Sequence, residues 1–237
     1  MQDAHLYCVP SGARGFDCNF HVTPEIARQR RAKGETFCAR YVRREQRHDY
    51  DLTRSEVDTI LNAGLGLIVV QHVAPEGWVP SAALGVKYGT IAADETTTLL
   101  LPPGTMVTLD LEGVKVGTPA REVIAYCNNW HSVVASAGFM PLLYVGFDPG
   151  LTAKQLYHDL RFTRYWGAYN IRERWVPAVR GFCLQQGTDP NHDFDRDVAT
   201  TDALGGCAVV LARAGWTGRQ RTGVARKRRK RAKATTR

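Results

Sequence analysis

Two acids close the run Met106-Val-Thr-Leu-Asp110-Leu-Glu112, and their spacing is the most chemically suggestive feature of the chain. The run is apolar and β-branched and follows Pro102-Pro103-Gly104, which predicts a buried strand. Residues two apart on a strand share a face, so Asp110 and Glu112 point the same way. Neighbouring carboxylates repel and the deeper one loses solvent, so one of them keeps its proton near neutrality. A protonated acid beside an ionised one is the equipment for cleaving a glycosidic bond. On their own, the two would equally be solvated acids at a strand end.

The ends of the other predicted strands carry similar residues. In chain order they give Asp17, Tyr41, Gln71 with His72, Asp110 with Glu112, Tyr144, Trp166 with Tyr169, Gln185, and Asp195 with Asp193 nearby. Acids supply protons and electrostatic support, and flat aromatic faces suit the apolar faces of sugar rings. Each aromatic alone reads as packing, and His72 reads as a hydrogen-bonded mouth residue rather than a base. The weight lies in the set.

The elements that must position this set alternate. Strands are expected at about 14–20, 36–42, 65–72, 105–112, 140–146, 163–169, 179–186 and 192–198, with a last apolar run at 207–211. Helices are expected from Pro24 to about Gly34, from Thr53 with a capping-box pattern to Gly64, over roughly 80–101, from Thr118 to Gly138, and over 152–160. Such alternation predicts a parallel sheet, and eight strands in this order predict a (β/α)8 barrel, whose active sites lie at the strand C-termini. The body is short for a barrel of typically ~250 residues, and few residues separate the sixth and seventh strands, so an outer helix should be missing. A doubly wound open sheet would bring a glycine-rich loop after its first strand. Phe16-Asp17-Cys18-Asn19 stands there instead, which argues against nucleotide binding.

The 237 residues carry a net charge of +8, but ten basic residues and no acid lie from Arg219 onward. The preceding 218 residues hold 21 basic and 23 acidic side chains. The expected organisation is a lead-in over 1–12, a barrel over 13–214 and a basic, disordered tail over 215–237. The six cysteines form no C-x-x-C pair and four sit in apolar runs, so all are expected reduced, with no metal or cofactor. The N-terminus lacks a signal-peptide pattern, and no stretch is long and apolar enough to cross a membrane.

Gly15-Phe16-Asp17, Asp110-Leu111-Glu112, Tyr144-Val145-Gly146 and Trp166-Gly167-Ala168-Tyr169, with Gln185 and Asp195 in the same order, resemble the glycoside hydrolase family 25 lysozymes. The stretch 14–212, with Asp202-Ala203-Leu204-Gly205-Gly206 near its end, more closely resembles the bacterial glycoside-hydrolase-like TIM-barrel family. The lysozyme resemblance implies cleavage of peptidoglycan between N-acetylmuramic acid and N-acetylglucosamine. It makes Glu112 the general acid, Asp110 the acid that assists it by orienting the substrate acetamido group, and Asp17 and Asp195 the flanking carboxylates. Gln71, His72, Tyr144, Trp166, Tyr169, Gln185 and Asp193 would contact substrate. The last strand reads Asp195-Arg196-Asp197 where the family has Asp-x-Asn, which leaves Asp193 or Asp197 to hold part of that role.

The expectation is therefore a muramidase-like hydrolase acting at the cell envelope, as a phage lysin or virion component would. Its basic tail would contact a wall polymer, nucleic acid or acidic lipid. A glycan-binding or structural module that keeps the cleft without turnover is the alternative, and a nucleic-acid protein relying on the tail ranks third.

Overall fold

The structure, a computed structural model, describes residues 3–188 and 194–218. Asp193 and the basic residues from Arg219 onward lie outside these. Among the described residues ten strands and five helices follow one another: β1 (Ala4–Cys8), β2 (Arg14–Cys18), α1 (Pro24–Ala32), β3 (Glu35–Val42), α2 (Arg54–Asn62), β4 (Gly66–Gln71), α3 (Ala82–Thr98), β5 (Met106–Leu111), α4 (Ala120–Ser136), β6 (Met140–Val145), α5 (Ala153–His158), β7 (Tyr165–Gly167), β8 (Leu184–Gly187), β9 (Asp195–Ala199) and β10 (Val209–Arg213). Strands β2 to β9 close on themselves through the pairings of β4 with β5 and of β2 with β9, giving an eight-stranded barrel. A single 3₁₀ turn, Glu173–Trp175, stands between β7 and β8 where a barrel helix would. The barrel is TIM-like and incomplete.

Two features go beyond the sequence expectation of a parallel barrel behind a lead-in. Strand β9 runs antiparallel to both β8 and β2. Only residues 188–194 join β8 to β9, and a parallel crossover needs a dozen residues or more, so the chain can only turn back. The lead-in contains β1, which pairs antiparallel with β10 over five residue pairs beside β4.

Four of the helices start where the sequence places them because a side chain caps them, whereas α4 follows Pro119 without a side-chain cap. Thr23, Thr53, Ser81 and Thr152 each accept a backbone N–H from the first turn. Thr152 and Gln155 form a full capping box. The expected box at Thr53 is half made, because the Glu56 carboxylate turns inward to the N–H of Val22 and to Arg40. Helix α3 carries Gly85 and Gly89 because α4 lies against it: a β-carbon at either would press on the backbone of Tyr126 or Trp130.

Two apolar layers result. Phe37, Ala39, Ile68, Val70, Met106, Leu142 and Leu184 fill the barrel interior. Phe16, Val69, Leu109, Leu143 and Trp130 belong to the layer between barrel and helices. The expectation of six free thiols is corrected at one pair. Cys8 and Cys207 form a disulfide across 199 residues, brought together by the β1–β10 ladder, in which Cys8 faces Val209. Cys18, Cys38, Cys127 and Cys183 are free and buried.

Candidate active site

Alternation along the strands decides which side chains enter the barrel mouth. On β5, Met106 fills the interior, so Thr108 and Asp110 face inward, with Glu112 following at the strand end. On β2 the inward residues are Gly15 and Asp17, since Phe16 and Cys18 pack in the outer layer. Tyr41, Tyr144, Trp166 and Gln186 belong to the same inner face. Because β9 is reversed, its first residue lies at the mouth, and Asp195 stands directly across from Asp17.

A chain of hydrogen bonds fixes Asp17. The Tyr41 hydroxyl donates to its Oδ1 at 3.0 Å and Gln186 Nε2 to its Oδ2 at 2.9 Å. Tyr144 in turn donates to Gln186 Oε1 at 2.8 Å. Burial raises Asp17 to about 6; the Gln186 bond opposes this and the charge of Asp195 adds to it. The Tyr41 ring stacks on His72, which is bonded to Asp51 at 2.9 Å, so His72 braces the rim. Burial lowers the basicity of its imidazole.

Glu112 is held from two sides. Its carbonyl accepts the Trp78 indole N–H at 2.9 Å, and the nearby backbone N–H of Phe147 eases the charge of its carboxylate. Burial nevertheless raises it to about 7, with Asp17 and Asp195 contributing. Asp110 lies deeper, and burial together with the charge of Glu112 lifts it well above the usual carboxylate range. Its Oδ1 is buried without a hydrogen-bond partner. Asp197 is fully buried and similarly raised by burial, then by Asp17 and Asp195. The Trp166 indole is the neutral group that most eases its charge, although the two do not reach hydrogen-bond geometry.

Burial thus raises both Glu112 and Asp17 toward neutrality, so the mouth can hold a proton on one carboxyl beside an ionised one. That is a proton donor to a leaving oxygen facing a carboxylate that can stabilise developing positive charge. Among the described residues no His, Cys, Asp or Glu cluster has the arrangement of a metal site.

Of the residues expected from sequence, Asp17, Asp110, Glu112, Asp195, His72, Tyr144 and Trp166 share the inner face or its rim. Trp166 is fully buried and backs the wall, its ring edge-on to Tyr144 at 5.0 Å. Tyr169 lies beyond the end of β7 and is exposed. Two glutamines are misplaced by the sequence reading. Gln71 shares the outward face of β4 with Leu67 and Val69, and binds the Trp130 indole at 2.8 Å and the Tyr88 carbonyl at 2.9 Å. It ties the barrel to α3 and α4 and does not reach the mouth. Gln185 points away from the barrel axis, and its neighbour Gln186 is the one that meets Asp17. Nothing in the local pattern separates them, because Cys183 and Leu184 are both apolar and buried, so the period of two has no visible phase. Asp193 lies outside the described residues.

Residues 28–180 match the family described as Rv2525c-like, glycoside hydrolase-like domain. Among solved structures, an uncharacterized protein of B. stearothermophilus is 20% identical, with a TM-score of 0.60 over 80% of this chain and 96% of its own. The Tat-secreted protein Rv2525c of Mycobacterium tuberculosis, in complex with L-tartrate, is 16% identical, with the same TM-score and coverage. The lysozyme of Streptomyces coelicolor is 16% identical, with a TM-score of 0.52 over 82% of this chain and 94% of its own. These likenesses are of fold. No curated protein matches the sequence.

Proposed function

The chain belongs to the Rv2525c-like glycoside hydrolase-like family, and from that premise we propose that it is a glycosidase cleaving peptidoglycan in the manner of a muramidase. The observation that carries this reading is geometric: the Asp110–Glu112 pair lies on one inward face of the barrel mouth that Asp17 and Asp195 also line, and burial raises both Glu112 and Asp17. Glu112 protonates the glycosidic oxygen. Asp17, oriented by Tyr41 and Gln186, stabilises the positive charge that develops on the sugar ring. Asp110, kept neutral by burial, orients the acetamido group, and Asp195 flanks the opposite wall. Tyr169 offers an exposed aromatic face outside the mouth. The protein acts at the cell envelope, where the basic segment from Arg219 holds an anionic polymer by charge.

The test is release of reducing ends from purified peptidoglycan, with mass analysis of the fragments. Glu112→Gln preserves shape and removes the transferable proton, so the rate should fall by ~10² to 10⁴-fold while glycan binding persists. A parent that releases no reducing ends, or a variant as fast as the parent, would sink the hydrolase reading. A glycan-binding module without turnover is the second reading. What favours it is that Asp110 is buried deeply enough to lose its charge, which a binding cleft tolerates as well as an enzyme does.

A further inference from the structure

Beside the mouth lies a groove of about 550 Å³, formed by the segments that follow β5 and β6 and by the 3₁₀ turn. It begins two residues beyond Glu112, at Val114. The two segments are zipped together by Gly113 N–H to the Phe147 carbonyl at 2.8 Å and Val114 N–H to the Asp148 carbonyl at 3.0 Å. The floor is apolar, made by Val114, Leu151 and Trp175.

Three cations line this floor: Lys115, Lys154 and Arg174. None has a carboxylate partner among the described residues, whereas Arg28, Arg40, Arg43, Arg47, Arg54, Lys87 and Arg180 are all engaged by acids. The Arg174 guanidinium lies 4.5 Å over the Trp175 ring, which holds it at the groove. The backbone of Lys115 is fixed at both ends, its N–H donating to Trp78 and its carbonyl accepting from Thr118. Asp148 is the one acid in the lining.

A further negative charge in the mouth would be buried beside Asp17 and Asp195, so a substrate that carries carboxylates leads them elsewhere. We propose that this groove receives a carboxylate-bearing peptide substituent of the sugar held at the mouth. The protein thereby selects peptide-bearing muramyl glycans over uncharged N-acetylglucosamine polymers. The proposal rests on the glycosidase reading above and adds a specificity determinant to it.

The experiment uses the full chain carrying Glu112→Gln, so that ligands survive. Calorimetry compares a peptide-bearing muramyl oligosaccharide with a chito-oligosaccharide of the same ring number, at low and raised salt. The protein should prefer the first by about tenfold, less at raised salt, and Lys115→Gln/Lys154→Gln/Arg174→Gln should bring the ratio near one. Should loss of the Arg174 stack impair folding, Lys115→Gln/Lys154→Gln alone should still lower the ratio, since both lysines are exposed. A preference that survives these substitutions, or equal binding of both glycans by the parent, overturns the groove assignment and leaves the hydrolase reading intact. Binding of neither glycan overturns both.

Discussion

The Glu112 side chain occupies the space in which a β-carbon on residue 146 would stand. At Gly146 an added methyl would collide with the Glu112 carboxyl and with its own β-carbon. The glycine just beyond β6 therefore leaves room for the acid just beyond β5 to lie across it. Gly146→Ala should fold, because its neighbours can shift, at a cost of about 1–3 kcal/mol. It should also displace the Glu112 carboxyl and lower hydrolysis by about a hundredfold. Thermal melts and reducing-end assays on the same preparation would separate the two effects. Full activity in Gly146→Ala would mean that the position of Glu112 does not matter.

The catalytic window should be narrow. Asp17 must be ionised and is raised to about 6, while Glu112 must be protonated and is raised to about 7. The rate should therefore climb as pH rises through about 6 and decline beyond about 7, giving a bell with closely spaced flanks. A rate that stays flat from pH 5 to 9 would remove these two groups from the reaction.

How far the site could be read from the chain depended on whether one face of each strand was marked. Asp110 and Glu112 were legible because polar residues two apart at the end of an apolar run show their face directly. Gln71 sits in a strand buried on both sides, where Leu67, Ile68, Val69 and Val70 are all apolar and nothing in the pattern says which face turns inward. The same ambiguity hid Gln186 behind Gln185. The reversal of β9 was implicit in the few residues before it, but the acid at its start reads the same in either direction. Cys8 and Cys207 meet only because β1 returns to β10 at the far end of the chain, a pairing no local pattern announces.

Asp110 should act against stability at neutral pH. Its folded-state pKa is well above the ordinary value, so folding favours the protonated form. The stabilisation is complete below the unfolded value of about 3.9 and is lost as pH rises through the folded one. Asp110→Asn carries no charge to bury, and its amide can donate to the neighbouring Glu112. The variant should melt about 3 to 8 °C above the parent at pH 8, with the difference shrinking toward pH 4. Equal melting temperatures at pH 8 would show that the carboxyl is well solvated after all.

Gln186 and Gln185 offer a test in which adjacent, chemically identical residues should behave differently. Gln186 Nε2 donates to Asp17 at 2.9 Å and is the strongest influence holding that carboxyl down against its burial. Replacing it with leucine leaves Asp17 with Tyr41 as its remaining side-chain donor and strands the Tyr144 hydroxyl that Gln186 accepts from. Asp17 should then titrate above 6 and approach Glu112 at about 7, so the acid flank of the rate profile moves upward and the maximum falls. A general loss of folding would lower the rate at every pH without moving the flank, which separates a positioning role from a structural one. Gln185→Leu, on the opposite face of β8, should leave both flanks where they are. If the two variants shift the acid flank equally, the inward face of β8 has been assigned to the wrong glutamine, and the hydrogen-bond chain from Tyr144 to Asp17 cannot be what sets the charge in the mouth.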